Sequence, residues 1–153
     1  MLAARLPARA RWLLGDSPLD WDFSRAAHPL EALPEDHAQT LAAILPNDWR
    51  ELLIFGEDDY AEGGGAQSFL TVHTRTGEVF GVDGERDAPV YFLSSSVTAF
   101  VETFLLFDRV LRGGVGTASE LAEAARAVDP RGFDRSEWRD LAQYMAALSA
   151  GDP

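Results

Sequence analysis

The stretch Pro89–Leu111, PVYFLSSSVTAFVETFLLFDRVL, changes character at its centre. Val90–Leu93 is a short run of β-branched, aromatic and aliphatic residues, the signature of a strand. After Ser96, residues Val97, Phe100, Val101, Phe104 and Leu111 recur at helical intervals and define one broad apolar face. Three serines, Ser94, Ser95 and Ser96, stand between the two patterns. A serine at a strand-to-helix junction can be a nucleophile or a helix cap. The nucleophile elbow needs glycines on both sides so that the turn can be sharp, whereas here the run is flanked by Leu93 and Val97. A cap needs only an oxygen within reach of the orphan N–H groups of the first turn. The local sequence therefore predicts that Ser94, Ser95 and Ser96 are structural, one of them capping the helix.

Upstream of this junction the chain reads as strands. ELLIFGE (51–57) is short and apolar, SFLTVHT (68–74) alternates Phe69, Thr71 and His73 against Leu70, Val72 and Thr74, and RTGEVFGVDG (75–84) turns at Thr76–Gly77. Such short runs joined by Gly-containing turns favour an antiparallel meander over βαβ units. The segment EDDYAEGGGAQ (57–67) reads as a loop. Downstream, Thr117 with Glu120 and Asp134 with Glu137 form capping-box patterns, the second preceding Trp138, Leu141, Met145 and Leu148 at helical spacing. The first fifty residues read as lead-in. A short helix over ARARWLLG is followed by a Pro-rich extended segment, then by a helix that Asp36 caps and that carries Leu41, Ile44 and Leu45. The expectation is α+β: one domain over 1–153, with a lead-in over 1–50. A mostly antiparallel sheet of about 4–6 strands and the capped helix occupy 51–112, and C-terminal helices occupy 117–149. Helices before and after the sheet pack on it.

A chain of 153 residues can bury roughly 68–70% of its unfolded surface, enough for a substantial core. There is no cysteine, which excludes disulfides and thiolate chemistry. The net charge is −12, every basic residue is arginine, and Arg5, Arg9 and Arg11 precede the first acid. A surface so acidic repels nucleic acid and anionic membrane and attracts a basic protein. No apolar run has the form of a signal peptide or a membrane span, so a cytoplasmic protein is expected.

Catalytic and ligand motifs find little support. An EF-hand loop begun at Asp58 would place Phe69 at position twelve, where a bidentate Glu is required. His28, His37 and His73 lack metal-ligand spacing. GGGAQS (63–68) lacks the Lys-Ser/Thr ending of a phosphate loop, and GGVG (113–116) follows a helix rather than a strand. Phe100, Phe104 and Phe107, with Trp138 and Tyr144, have core spacing, whereas Trp12, Trp21, Phe23 and Trp49 are candidate partner anchors. No cofactor, metal or catalytic residue is expected.

Four features of the middle third resemble one family. They are Phe55-Gly56-Glu57-Asp58, Thr76-Gly77-Glu78-Val79, Leu93-Ser94-Ser95-Ser96 and the helical Phe100, spread over about Glu51 to Arg112. In this pattern the chain resembles the SUKH superfamily, and within it the fourth immunity-protein subfamily. It departs from the pattern in carrying Ser94 where Asn is common. The resemblance implies a mostly antiparallel sheet with helices, and a non-enzymatic protein that binds and blocks a cognate toxin domain, often a nuclease or nucleic-acid deaminase. The expected partner is a basic toxin, neither nucleic acid nor membrane. The candidate contact residues are Glu57, Asp58, Asp59 and Glu62 in one loop, and Asp83, Glu85 and Asp87 in a second. The alternatives are a regulatory or scaffold adaptor of the same fold, or a small-ligand binder or enzyme using a pocket between sheet and helices.

Overall fold

In the computed structural model of the chain, the described residues are 21–22, 28–29, 49–58, 68–83, 90–111 and 118–150. The chain divides into two compact units, Trp21–Phe92 and one containing Leu93–Pro153. The element order is the expected α+β one. Among the described residues six strands come first: β1 (Trp21–Asp22), β2 (His28–Pro29), β3 (Leu52–Asp58), β4 (Ser68–His73), β5 (Val79–Asp83) and β6 (Val90–Ser94). Three helices follow: α1 (Val97–Leu111), α2 (Ala118–Val128) and α3 (Glu137–Ala150). Single 3-10 turns precede β3 (Trp49–Glu51) and α3 (Phe133–Arg135). The helices expected at ARARWLLG and after Asp36 lie outside the described residues. No helix among the described residues is long and apolar enough to cross a membrane.

The sheet order is β1-β3-β4-β5-β6, and β2 also pairs with β3. β3 pairs antiparallel with β4, and β4 with β5. Alternation assigns the faces. Leu52, Ile54, Phe69 and Val82 form a buried cluster on one face, with Phe80 and Val90 against it. Thr71 lies in the same rows, paired with Ile54 and Phe80. Its hydroxyl is satisfied by donating to the Phe80 carbonyl at 3.0 Å. The register slips between Ile54 and Gly56, so Phe55 is an extra residue on β3. Such a bulge bends its strand and increases the local twist.

The β4–β5 turn runs through Thr74–Gly77, and Gly77 has a φ of +76°. That left-handed conformation is open to glycine without a steric penalty, which explains the Thr-Gly step of the sequence. Gly81 has a different reason. A Cβ there would fall inside the ring of Tyr91, so the missing side chain makes room for the tyrosine.

In the second unit the aromatic spacing is resolved into a core. Trp138 is 1% exposed. Its ring lies 4.6 Å from Phe107, 6.0 Å from Phe100 and 6.4 Å from Phe104, centroid to centroid. Leu121, Ala125, Phe133, Leu141 and Met145 are also buried. The broad apolar face expected on α1 divides in two. Phe100, Phe104 and Phe107 are buried, whereas Val97 and Val101 point to solvent with Leu105. Tyr144, grouped with the core by spacing, is exposed as well. α1 is apolar over most of its circumference, and the aromatic side takes the interior because its side chains bury the larger area.

Candidate functional site

The serine run resolves into three environments. The Ser96 hydroxyl oxygen accepts the Ala99 N–H at 3.1 Å, and the Ser96 carbonyl accepts the Phe100 N–H at 3.0 Å. Ser96 is therefore the N-cap of α1. Ser94 is fully buried, and its hydroxyl has no hydrogen-bond partner. Ser95 is anchored through its main chain, its N–H donating to Asp129 Oδ2 at 2.9 Å. Ser96→Ala removes the cap oxygen. The expected loss is about 1 kcal/mol, read as a drop of roughly 2–4 °C in thermal midpoint. Ser94→Ala, which removes an unpaired hydroxyl, should not lower the midpoint.

Asp129 is the hub of this junction. It follows α2 directly and is 5% exposed. Besides Ser95 it receives the Gly132 N–H, at 3.1 Å to Oδ1, while its own carbonyl accepts the Phe133 N–H at 3.0 Å. A Cβ on Gly132 would collide with the carboxyl group of Asp129 and the hydroxyl of Ser95. The glycine allows this close approach. The last helix, expected to start at Asp134 with Glu137, begins at Glu137 itself, three residues later. Asp134 sits in the 3-10 turn and is held by Arg126, with contacts of 2.9 and 3.2 Å. The residue before α3 is Ser136, whose hydroxyl donates to the Phe133 carbonyl instead.

At one end of the sheet, His73 organises the β4–β5 turn. Its Nδ1 accepts N–H groups from Arg75 (3.2 Å) and Thr76 (3.3 Å), and its Nε2 meets Glu51 at 2.9 Å. With Nδ1 accepting, the hydrogen of the neutral ring sits on Nε2 and points at the carboxylate. Arg75 reaches the same Glu51 oxygen at 3.0 Å. Both ring nitrogens are committed to structure, which gives His73 a turn-building role.

The opposite end of the sheet carries the acids. Glu57 and Asp58, expected in a loop, are the last two residues of β3, and Asp83 is the last of β5. Glu57 pairs with Phe69 and Phe69 with Val82, so Glu57 and Val82 share a row across three strands, with Asp83 one residue further along. Two strand spacings are roughly 10 Å. Because β3 and β5 are each antiparallel to β4, the connections leaving Asp58 and Asp83 depart from the same end. Asp59 and Glu62 belong to the first connection, and Glu85 and Asp87 to the second; all four lie outside the described residues. The register adds Asp22, which pairs with Glu57. Sequence reasoning missed Asp22 because β1 is two residues long, too short to give a periodic signal. Among the described residues no group of three or more His, Cys, Asp or Glu is arranged to hold a metal ion.

A β-meander that passes through a serine-capped junction into three helices defines an α+β protein. The chain belongs to the SUKH-4 immunity protein family, whose model matches residues 3–153. The match extends well beyond the middle third in which the motifs were read. No curated protein and no solved structure gives a significant match.

Proposed function

We propose that this protein neutralises a cognate bacterial toxin domain, a nuclease or nucleic-acid deaminase, by binding it stoichiometrically in the cytoplasm and covering its active site. Membership of an immunity-protein family supports the reading. The observation that carries it further is the register that brings the ends of β3 and β5 together, with Glu57, Asp58 and Asp83 on them. An enzyme that grips nucleic acid presents a basic cleft. The chain carries a net charge of −12, and opposite charge speeds encounter and steers the two surfaces into register. The contact surface comprises Glu57, Asp58, Asp59 and Glu62 with Asp83, Glu85 and Asp87. No cofactor or catalytic step is needed for such masking.

The test uses the catalytically inactivated toxin domain encoded beside this gene. A one-to-one complex should form, with an association rate that falls steeply with salt. The variant Glu57→Gln, Asp58→Asn, Asp83→Asn should associate about 10–100-fold more slowly at low salt. Absence of a complex with the neighbouring toxin overturns the reading. An unchanged rate in the triple variant removes the acidic end from the interface.

A further inference from the structure

Helix α1 presents two apolar faces, and only one of them is used by the core. Val97, Val101 and Leu105 are 42%, 47% and 50% exposed. They stand at positions i, i+4 and i+8 and so form one ridge about 12 Å long. Single exposed aliphatics need no explanation. A continuous ridge of three along a helix whose other side is already packed with phenylalanines is a different matter, because its pattern matches the anchors of helix-in-groove recognition.

We infer that this ridge is the apolar centre of a docking face for a basic protein domain, one whose cleft has apolar walls and an Arg- or Lys-bearing rim. Size and charge select this occupant. Three half-exposed aliphatic side chains supply a small part of the roughly 800 Å² per partner that a stable interface buries. The ridge alone therefore cannot hold a pair of molecules together, and the surrounding polar surface must contribute. That surface includes the exposed Thr98 and Glu102 beside the ridge and Arg109 one turn beyond Leu105, and the chain as a whole carries −12. A second copy brings the same negative charge and is repelled, whereas a basic cleft gains both the apolar contact and the charge complementarity. The inference rests on the toxin-binding reading and names a surface that the reading does not require.

The experiment measures affinity for the inactivated toxin domain encoded beside the gene. The variants are Val101→Asp, Leu105→Asp, their double combination and the milder Val101→Ala/Leu105→Ala. The inference expects wild-type binding, a loss of at least 100-fold in the Asp double variant, an intermediate loss in the Ala variant, and unchanged thermal midpoints. Photo-crosslinking from a benzoylphenylalanine placed at Leu105 should then join the two chains. If wild type binds and both double variants bind equally well, the inference is overturned and the toxin reading stands. Retained binding with a midpoint lowered by several degrees overturns it in favour of cover by the chain's own first twenty residues. Sedimentation as a dimer that Val101→Asp dissociates, with no toxin bound, overturns it in favour of self-association. A monomer that binds no neighbouring toxin overturns both the inference and the reading.

Discussion

Trp138→Ala should cost about 3–5 kcal/mol, the range for a large aromatic truncated in a packed interior. Trp138 is 1% exposed and is packed against Phe107, Phe100 and Phe104. Removing the indole leaves three rings facing a void. Small domains hold only about 5–15 kcal/mol in total, so the variant should unfold at a much lower denaturant concentration. Trp138→Phe provides the control. Its cavity is smaller, and it deletes an indole N–H that has no hydrogen-bond partner. Since a buried unpaired donor is itself costly, the two effects partly cancel, and the loss should be about 1–2 kcal/mol. Urea titrations followed by circular dichroism measure both. Equal midpoints for the Ala and Phe variants would show that the rings close over the void, and that Trp138 does not organise this core.

Asp129→Ala is expected to be the second most damaging substitution, at about 1–3 kcal/mol. The carboxyl group accepts N–H groups from Ser95 and Gly132 at 2.9 and 3.1 Å. The Gly132 N–H keeps the main-chain carbonyl of residue 129 as acceptor at 3.2 Å, whereas the Ser95 N–H left without an acceptor costs about 1–3 kcal/mol. Asp129→Asn is nearly isosteric but turns an N–H₂ toward one of the two donors, so it should recover only part of the loss. Gly132→Ala attacks the same node by crowding rather than deletion, and its effect should be much less than additive with that of Asp129→Ala. A double-mutant cycle tests this coupling. Full additivity would mean that the aspartate and the glycine act independently, contrary to their placement.

Much of the architecture was legible from local pattern. β3, β4, β5 and β6 correspond to apolar runs bounded by Gly-containing turns, and α1 begins just after the serine run. The Ser96 cap followed from the need of a helix N-terminus for an acceptor. What escaped was everything decided by partners distant in sequence. Ser95 and Asp129 are 34 residues apart, and no spacing rule connects them. Glu57 stands where the strand run ELLIFGE and the loop EDDYAEGGGAQ overlap, and Asp58 and Asp83 fall in expected connections, yet ladder pairing with Asp22, Trp21 and Ser68 extends the strands through all three. On α1, periodicity marked an apolar helix but not which arc faces inward. The bulk of Phe100, Phe104 and Phe107 decides that. The acids were individually obvious, but their gathering at one end depends on strand direction, which only the meander supplies.

The strand order bears on how the protein survives at high concentration. The outer side of β3 is met by two-residue pieces: Trp21 and Asp22 opposite Asp58 and Glu57, and His28 and Pro29 opposite Ile54 and Leu53. An open strand rim invites edge-to-edge aggregation, and proteins blunt it with short flanking strands, bulges, prolines and inward charges. Here the bulge at Phe55 breaks the straight run, Pro29 offers no N–H to a newcomer, and acids occupy the far end. The irregular margin of β3 is suited to keeping separate copies of the chain dispersed.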